Sequence, residues 1–377
     1  MLAAGVALLG AACGSTAAPG PAAAKAAAPS TLSLAGSVAT QQATWAVLPM
    51  GAQSGPNEFW QLFLQVGGTH SWRLDTPPDI ATNGAPALAG LSGTGLVEGV
   101  RPSLKLTFSP LSQTSNGGKT WTAGPPSAAL AGVPDALAGT AAGSQLLTLS
   151  TSGKVSTGSA AGGTWRTLTT EASLASSAAG RACGLTGLTA VAFAAPATPL
   201  VAGACSRPGT VGIFAKSSSG FTSAGPALPA AYAHAQVRVL RLMAAGSQTV
   251  TILQAGTGSA AVVLAAWRDA AGKWTLSAGR ALGGATVRSS SFGAAGNAGV
   301  LLSTGKGAII AGPGSGWQEL PAVPRGHAAT LALPAGGQPE VLTATGGIMT
   351  VWQLSADGAA WTNAQKVKVP IQYGSSE

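Results

Sequence analysis

Short apolar or alternating runs are separated by polar, glycine-rich turns along most of the chain. Six runs that directly precede such a turn are Phe59–Leu64, Leu104–Phe108, Val211–Phe214, Ala261–Leu264, Ala308–Ile310 and Ile348–Trp352. Apolar runs of this length, bounded by turn residues, predict strands. Two further runs fit in most intervals, as Leu188–Phe193 and Leu200–Ala204 do on either side of residues 195–197. Each interval therefore accommodates about four strands.

The turns recur at a loose period. Each of them is closed by an aromatic residue: Trp72, Trp121, Trp165, Phe221, Trp274, Trp317 and Trp361. The intervals between these aromatics are 49, 44, 56, 53, 43 and 44 residues, a range typical of propeller blades. We therefore predict an all-β fold, a β-propeller of seven four-stranded blades. Six or eight blades are the alternatives, because the two longest intervals and residues 31–50 leave the count open.

Two of the turns carry a recognisable motif. Residues 115–121 read Ser-Asn-Gly-Gly-Lys-Thr-Trp, and residues 355–361 read Ser-Ala-Asp-Gly-Ala-Ala-Trp. They resemble the Asp-box (BNR) repeat of sialidase-like propellers, whose pattern is Ser-x-Asp-x-Gly-x-Thr-Trp. In the first turn Gly118, Thr120 and Trp121 match, and Asn116 stands where the pattern has aspartate. The second turn keeps Ser355, Asp357, Gly358 and Trp361 but has Ala360 in place of threonine. The resemblance extends as a repeat rhythm over about residues 31–373, while the motif itself is specific only in these two turns.

The chemistry of this motif predicts a structural role. A short acceptor side chain binds backbone N–H groups, glycine supplies a positive φ, and the aromatic ring packs between sheets. We expect each turn to join the third and fourth strands of a blade. The alternative, a phosphate-binding Gly-Lys-Thr loop, would need a glycine where Gln113 stands and a helix after Thr120.

The N-terminus differs in composition from the rest of the chain. Residues 2–12 form an apolar run too short to span a bilayer, and Cys13-Gly14 follows it. This resembles a bacterial lipoprotein signal with its lipidated cysteine; an ordinary cleaved signal and an uncleaved anchor are the alternatives. Residues 14–30 are rich in Ala, Pro and Gly and predict a disordered tether. The predicted domains are a signal peptide (1–12), lipidated Cys13 with its tether (13–30), and a single propeller domain (31–377).

Cys183 and Cys205 remain as a pair. An extracytoplasmic chain lies in an oxidising compartment, so a disulfide is predicted, with two buried thiols as the alternative. We expect this bond to join neighbouring strands of one blade. The three histidines are far apart in the sequence and show no metal-ligand spacing, and no cofactor motif is present, so we expect neither a metal nor a cofactor.

Composition narrows the classes of function. Charged residues are 8% of the chain, with 54 Gly and 24 Pro, which disfavours long helices. The net charge is +9, but the 20 Lys and Arg residues are scattered singly along the chain. Nucleic-acid binding is therefore not expected, because it usually needs a basic cluster on a recognisable module. Weak attraction to an anionic membrane or cell-wall polymer is an alternative.

The sequence assigns no catalytic residue. The resemblance to sialidases implies a tyrosine nucleophile with a glutamate, an acid/base aspartate and three arginines, yet the chain has only Tyr232 and Tyr373. Arg238 and Arg241 fall on opposite faces of a predicted strand, and we expect both to be surface arginines. Asp135 follows a proline in a turn-like context, and no pair of carboxylates suggests acid/base chemistry.

These observations predict a non-catalytic, monomeric cell-envelope lipoprotein, held at the membrane by its lipid, whose propeller binds a partner protein or a surface glycan. A degenerate sialidase-type glycan hydrolase is the first alternative. A secreted enzyme of unrelated mechanism is the second, because fold does not determine function. The alternatives differ in whether a carboxylate, a tyrosine and arginines converge at the mouth of the central channel.

Overall fold

The computed structural model of the chain describes residues 34–51, 58–77, 85–99, 111–123, 130–140, 142–303 and 307–370. The chain divides into two compact units, residues 1–30 and 31–377. The first unit, with the predicted signal, Cys13 and tether, lies outside the described residues. So do the predicted strand at Leu104–Phe108 and Tyr373.

The second unit is all-β and consists of meanders of four antiparallel strands, seven of which lie in the described residues. We number these meanders blades 1 to 7 in chain order. Blade 1 comprises β1 (Leu34–Ala39), β2 (Ala43–Gly51), β3 (Glu58–Val66) and β4 (Trp72–Leu74). Blade 2 comprises β5 (Ala87–Gly90), β6 (Leu96–Gly99), β7 (Leu111–Thr114) and β8 (Thr122–Ala123). Blade 3 comprises β9 (Leu137–Gly139), β10 (Gln145–Leu149), β11 (Lys154–Ser159) and β12 (Arg166–Thr170).

The later blades follow the same order. Blade 4 comprises β13 (Leu185–Ala194), β14 (Thr198–Cys205), β15 (Gly212–Ser217) and β16 (Gly220–Ser223). Blade 5 comprises β17 (Val237–Ala245), β18 (Gln248–Ala255), β19 (Val262–Arg268) and β20 (Trp274–Leu276), with β21 (Arg280–Ala281) also paired to β19. Blade 6 comprises β22 (Val287–Phe292), β23 (Ala298–Leu302), β24 (Ala308–Ala311) and β25 (Gln318–Glu319). Blade 7 comprises β26 (Ala328–Ala332), β27 (Glu340–Thr345), β28 (Ile348–Leu354) and β29 (Trp361–Lys368).

The blades form a closed ring around their innermost strands. Each blade contacts the next, and β26 and β27 of the last blade contact β2 of the first. This is the arrangement of a β-propeller, as the repeat of turns predicted. The number of blades in the whole propeller stays a prediction.

Among the described strands, none from one end of the chain is inserted into the blade formed by the other end. The Thr330 hydroxyl donates to the carbonyl of Val47 at 2.7 Å. The Gln365 side chain accepts from the backbone N–H of Trp72 and donates to its carbonyl, both at 2.8 Å. An apolar cluster that includes Leu48, Trp72 and Leu342 fills the junction. Side chains therefore join the first blade to the last.

One strand pairing joins two different blades, whereas the other described strand pairings lie within a blade. The innermost strands of blades 1 and 6, β1 and β22, pair in parallel and merge their two meanders into an eight-stranded sheet. Gly36 lies at the irregularity in this pairing. A Cβ added to Gly36 would come within 2.9 Å of the Ser291 hydroxyl. The close approach of the Gly36 backbone to Ser291 therefore requires a glycine at this position.

Two short helices, α1 (Glu171–Ser176) and α2 (Ala178–Cys183), connect blades 3 and 4. The sequence analysis did not predict them. Thr170 and Ser177 cap their N-termini by accepting from backbone N–H groups of Ser173 and Gly180. No helix in the described part of the chain is long and apolar enough to cross a membrane.

A disulfide joins Cys183 to Cys205, with Cα atoms 5.2 Å apart. We expected a bond across neighbouring strands of one blade. Cys205 does end β14, but Cys183 ends α2, so the bond ties a helix to a strand. Two irregularities in the β13–β14 pairing bring Leu185 opposite Cys205, where strict register from the pair Ala194 and Thr198 would bring Gly187.

Candidate functional site

The ring has two faces, which we name by the direction of the innermost strands. The start face is where these strands begin, and the end face is where they finish. Because each blade is an antiparallel meander, the connections between blades and the turns between second and third strands lie on the start face. The turns between third and fourth strands lie on the end face.

All seven aromatic turns connect third and fourth strands. In the best copy of the motif, Asn116 accepts from the backbone N–H of Thr120 at 3.0 Å and donates to the Thr120 hydroxyl at 2.8 Å. The Thr114 hydroxyl accepts from the N–H of Gly118 at 3.0 Å. Gly118 has a φ of 77°, and an added Cβ would collide with the carboxylate of Asp75 in blade 1. Lys119 is exposed at the tip of this turn.

The first motif turn also fastens its blade to the preceding one. The half-buried Trp121 meets Trp45 of blade 1 edge-on, with ring centroids 5.9 Å apart. Its indole donates to Asp75, and Arg73 donates both to Asp75 at 3.2 Å and to the carbonyl of Gly117. Partial burial raises the pKa of Asp75 above its ordinary value, and Arg73 opposes that effect. The turn therefore serves as a joint between blades.

Other closing tryptophans repeat this relation to the preceding blade. Trp274 Nε1 donates to the carbonyl of Ala224 at 2.7 Å, and Trp361 Nε1 donates to the carbonyl of Pro321 at 3.1 Å. Trp72 Nε1 donates to Glu340 of blade 7 at 2.5 Å, which extends the relation across the ring closure. Four of the seven closing aromatics thus form a hydrogen bond to the preceding blade: Trp72, Trp121, Trp274 and Trp361.

The second motif turn, residues 355–361, is held by its own side chains. Ser355 Oγ donates to Asp357 at 2.6 Å, and the backbone N–H of Ala359 donates to the same carboxylate oxygen at 3.1 Å. These hydrogen bonds lower the pKa of Asp357. Gly358 follows with a φ of 73°.

A buried ion pair fills the centre of the ring. Arg241 on β17 is 0% exposed and Asp135, just before β9, is 2% exposed. Arg241 Nε donates to one Asp135 oxygen at 2.8 Å, and the backbone N–H of Leu242 donates to the other at 2.7 Å. Arg241 also donates to the carbonyl and hydroxyl of Ser290 at 2.7 and 3.0 Å, and it lies over the ring of Phe292. The pair connects blades 3, 5 and 6.

Our prediction that Arg241 is a surface arginine is therefore wrong, while Arg238 is exposed as expected. A bulge at Leu240, between Val239 and Arg241, alters the alternation along β17. Burial raises the pKa of Asp135, and the charge of Arg241 acts in the opposite direction. Since both groups bind one another and backbone atoms, the arrangement is that of a structural pair.

Two other carboxylates are buried. Glu340 accepts hydrogen bonds from Gln65 and Trp72 of blade 1, and burial raises its pKa. Glu98 on β6 is 3% exposed, and one of its carboxylate oxygens has no hydrogen-bond partner. Burial raises the pKa of Glu98 to about 8.

The residues of the sialidase pattern do not converge in the described ranges. Tyr232 lies in a short 3-10 helix, Ala230–Tyr232, between blades 4 and 5, with its hydroxyl against Gly279. The central carboxylate, Asp135, meets Arg241 without a tyrosine. In the same ranges no group of three or more His, Cys, Asp or Glu residues could hold a metal ion.

Among the cavities of the described residues, two bear on the question of a binding site. On the end face, a cavity of about 170 Å³ lies beside Asp135 and is lined by residues such as Thr40, Ser92 and Met243. On the start face, a larger cavity of about 520 Å³ lies where blades 6 and 7 meet. We call the second cavity the 6/7 groove.

The 6/7 groove combines apolar walls with a basic rim. Leu301, Leu302, Val323 and Pro324 supply the walls, and the rim residues are Arg288, Arg325 and His327. All three rim residues are exposed to solvent. None of the described residues that line the groove is acidic or aromatic. Sequence reasoning missed this site, because its basic residues come from β22 and from the connection before β26.

Basic residues are also exposed elsewhere on the start face. Besides the rim of the 6/7 groove, they include Lys154, Arg181, Arg207, His234, Arg238 and Lys368. Glu171 is a carboxylate on the same face, and it accepts from the backbone N–H of Leu188 at 3.2 Å. Cations scattered in the sequence are thus exposed on the start face, while Arg73, Lys119, Arg166 and Lys273 are exposed at turns of the end face.

Comparison with known proteins supports the fold alone. No protein-family model matches the sequence. No curated protein matches it either. A solved structure of a protein from Lactobacillus plantarum is 12% identical, with 88% of this chain and 98% of that chain covered and a TM-score of 0.51.

Two other similar structures have lower TM-scores. YCF48 bound to D1 peptide is 11% identical, with 83% of this chain and 89% of that chain covered and a TM-score of 0.43. A lectin from Aleuria aurantia in complex with α-methyl-L-fucoside is 12% identical, with 92% and 97% covered and a TM-score of 0.42. The structural neighbours are β-propeller proteins, and membership of the Asp-box family stays a prediction.

Proposed function

We propose that this chain is a non-catalytic cell-envelope lipoprotein whose propeller binds a partner protein or a surface glycan through its start face. The observation that carries the proposal is the 6/7 groove, a cavity of about 520 Å³ with a basic rim on the face that also exposes Arg181, Arg207 and Arg238. Ligand sites are concave, mostly apolar and bordered by a few charged groups, which describes this groove.

The centre of the ring supports a binding role. In enzymes, reacting groups need access to substrate, whereas Asp135 and Arg241 are 2% and 0% exposed and are bonded to each other. The open surface of the start face offers cations instead, which attract and orient anionic partners.

The proposed location follows from the N-terminus. Lipid on Cys13 and the tether up to residue 30 would hold the propeller just outside the membrane. The disulfide between Cys183 and Cys205 supports an oxidising compartment.

Binding can be tested with the full chain made soluble by Cys13→Ala. The protein is immobilised and exposed both to solubilised envelope proteins and to a glycan array. We expect retention of one of these two classes, decreasing as salt rises because exposed charges contribute. Arg238→Gln on the start face should weaken binding, whereas Lys119→Gln on the end face should not. Failure to retain either class, or equal effects of the two variants, would contradict the proposal.

A further inference from the structure

We propose that the start face of the propeller docks on an anionic phospholipid surface, with Ile348 entering the headgroup layer and exposed cations meeting the lipid phosphates. This inference goes beyond the proposed function, because it concerns what the face contacts when no partner occupies it. Three features of the described residues carry it: where the chain enters the ring, the charge of the face and the position of Ile348.

The chain enters the propeller on the start face. Strand β1 is the innermost strand of blade 1 and begins at Leu34, so its first residue lies on this face. Residues 14–33 precede it, and a flexible segment of this length spans about 25 Å. An inner strand such as β13, with 10 residues, is about 33 Å long from one face to the other. An anchor at Cys13 would therefore reach the bilayer more readily with the start face toward it.

The start face has an excess of cations over carboxylates among the described side chains. Outside the 6/7 groove its exposed cations are Lys154, Arg181, Arg207, Arg238 and Lys368. The carboxylates near this face are Glu171, which accepts from the N–H of Leu188 at 3.2 Å, and Glu319, which pairs with Arg280 at the outer edge. A surface of lipid phosphates attracts such a face within the screening length of the solution.

The end face is more evenly charged. Its exposed cations are accompanied by carboxylates at the same turns: Asp75, Asp269 and Asp357. Asp75 pairs with Arg73 at 3.2 Å. Electrostatic attraction to an anionic surface therefore favours the start face over the end face.

Ile348 supplies an apolar contact on the start face. It is 47% exposed and is the only exposed large hydrophobic residue in the described part of the chain. Because it begins β28 directly after the turn from β27, it lies on the start face, where it pairs with Lys368. In this arrangement the aliphatic side chain can enter the headgroup layer while the lysine keeps its ammonium group among the phosphates. A lipid surface thus uses both residues, whereas a dissolved polyanion would use only the lysine.

The test uses the full chain with Cys13→Ala, so that no acyl chain contributes to binding. Its sedimentation is compared between vesicles of phosphatidylcholine and vesicles of phosphatidylcholine and phosphatidylglycerol in equal parts. Lys368→Gln and Ile348→Ser probe the docking surface, and Lys119→Gln, at an exposed turn of the end face, is the matched charge control. Binding of polyphosphate in solution is measured on the same variants.

We expect sedimentation with the anionic vesicles and not with phosphatidylcholine alone. Lys368→Gln should weaken vesicle binding about fivefold, as loss of one cation near a charged membrane predicts. Ile348→Ser should weaken vesicle binding and leave polyphosphate binding unchanged, while Lys119→Gln should leave vesicle binding unchanged. All three positions are exposed, so equal unfolding midpoints will show that the variants are folded.

A second measurement reports the orientation directly. Thr345→Cys and Ala356→Cys introduce thiols at exposed turns of the start face and the end face, respectively. With Cys13→Ala and the disulfide between Cys183 and Cys205, each variant has a single free thiol for an environment-sensitive dye. Anionic vesicles should shift the emission of the dye at position 345 to shorter wavelength and leave that at position 356 unchanged.

Three results would overturn the inference. One is no sedimentation with anionic vesicles, and another is an equal emission shift at both labelled positions. The third is vesicle binding that Ile348→Ser leaves unchanged and that polyphosphate displaces, which would assign the face to a dissolved polyanion. Each of these results leaves the proposed function standing, because retention of envelope proteins or glycans is measured without vesicles.

Discussion

At the scale of single residues, buried charge is the most informative feature of a chain in which charged residues are only 8%. Asp135 and Arg241 are buried together, so each neutralises the other, and both complete their hydrogen bonds with backbone groups. Such a pair can add little net stability, yet removing one partner leaves an unpaired charge in the core. The pair therefore couples the blades that it touches.

Removing either partner of this pair should destabilise the fold strongly. We expect Asp135→Asn and Arg241→Met each to reduce the free energy of unfolding by about 3–5 kcal/mol. The double variant should lose clearly less than the sum of the two, because neither charge is then left alone. Urea unfolding at neutral pH measures all three, with Arg238→Met as the exposed control. Additive losses would show that the two groups act independently.

The raised pKa of Glu98 predicts how the free energy of unfolding depends on pH. Its folded-state pKa of about 8 lies above the ordinary value of 4.5, so between these two pH values the folded state retains a proton that the unfolded state has released. The stability that this proton provides is complete below pH 4.5 and is lost as pH rises toward 8. One proton contributes a slope of at most about 1.4 kcal/mol per pH unit.

We therefore expect the free energy of unfolding of Glu98→Gln to decline less than that of the parent protein between pH 4.5 and about 8. Near pH 8 the variant should be more stable than the parent protein. Urea unfolding over a pH series measures this. Glu319→Gln, at an exposed position, is the control and should reproduce the parent curve. An unchanged slope in Glu98→Gln would exclude Glu98 as its source.

At the scale of elements, the turns between third and fourth strands are the repeated unit of construction. Their closing tryptophans donate to the preceding blade at Ala224, Pro321 and Glu340. Hydrogen bonds of this kind orient one twisted sheet against the next, while apolar packing supplies most of the free energy. A motif that stabilises a turn locally thus also sets the contact between neighbouring blades.

The first motif turn provides a ranking of substitutions. Trp121→Ala should reduce the free energy of unfolding by about 3–5 kcal/mol, since it opens a cavity beside Trp45 and frees Asp75. Asn116→Ala should reduce it by about 1–3 kcal/mol, because the N–H of Thr120 loses its acceptor. Lys119→Ala should be nearly neutral, because this lysine is exposed. Chemical denaturation measures the order, and a larger loss with Lys119→Ala than with Trp121→Ala would contradict a structural role.

The disulfide fastens the unpredicted helix α2 to the end of β14. It closes a sequence separation of 22 residues, and opening it should reduce stability by about 3 kcal/mol on the chain-entropy account. Cys183→Ser with Cys205→Ser is compared with the oxidised protein by urea unfolding. Thiol titration of the unfolded, unreduced protein should find neither cysteine free. Two reactive thiols would contradict the bond.

At the scale of the whole molecule, the ring is closed by side chains and by an unusual inner pairing. The last blade meets the first through Glu340, Gln365 and Thr330. The parallel pairing of β1 with β22 brings blades 1 and 6 together at the centre. Closure of the ring buries the facing apolar sides of the first and last blades, as the cluster with Leu48, Trp72 and Leu342 shows.

The attachment of the whole molecule to the membrane is a separate prediction. Lipidated protein should enter the detergent phase on phase separation, because an acyl chain adds a large apolar surface. Cys13→Ala should remain in the aqueous phase, and Cys183→Ser serves as a control for the loss of a cysteine. Equal aqueous partitioning of the parent and of Cys13→Ala would contradict lipidation.

The sequence by itself determined the features that depend on neighbours along the chain. Strands such as Val262–Arg268 and turns such as residues 115–121 follow from local alternation, glycine and aromatic spacing. The β-propeller follows from their period, and the Cys183–Cys205 bond follows from cysteine count and the inferred compartment.

Only the tertiary structure decided which scattered residues meet. Asp135 and Arg241 are 106 positions apart, so the residues around Arg241 predict neither its burial nor its partner. The parallel pairing of β1 with β22 and the basic rim of the 6/7 groove likewise join segments from distant parts of the chain. The physical reason is that burial, hydrogen-bond partners and cavities depend on how the blades pack around the ring, whereas sequence patterns report only local conformational preference.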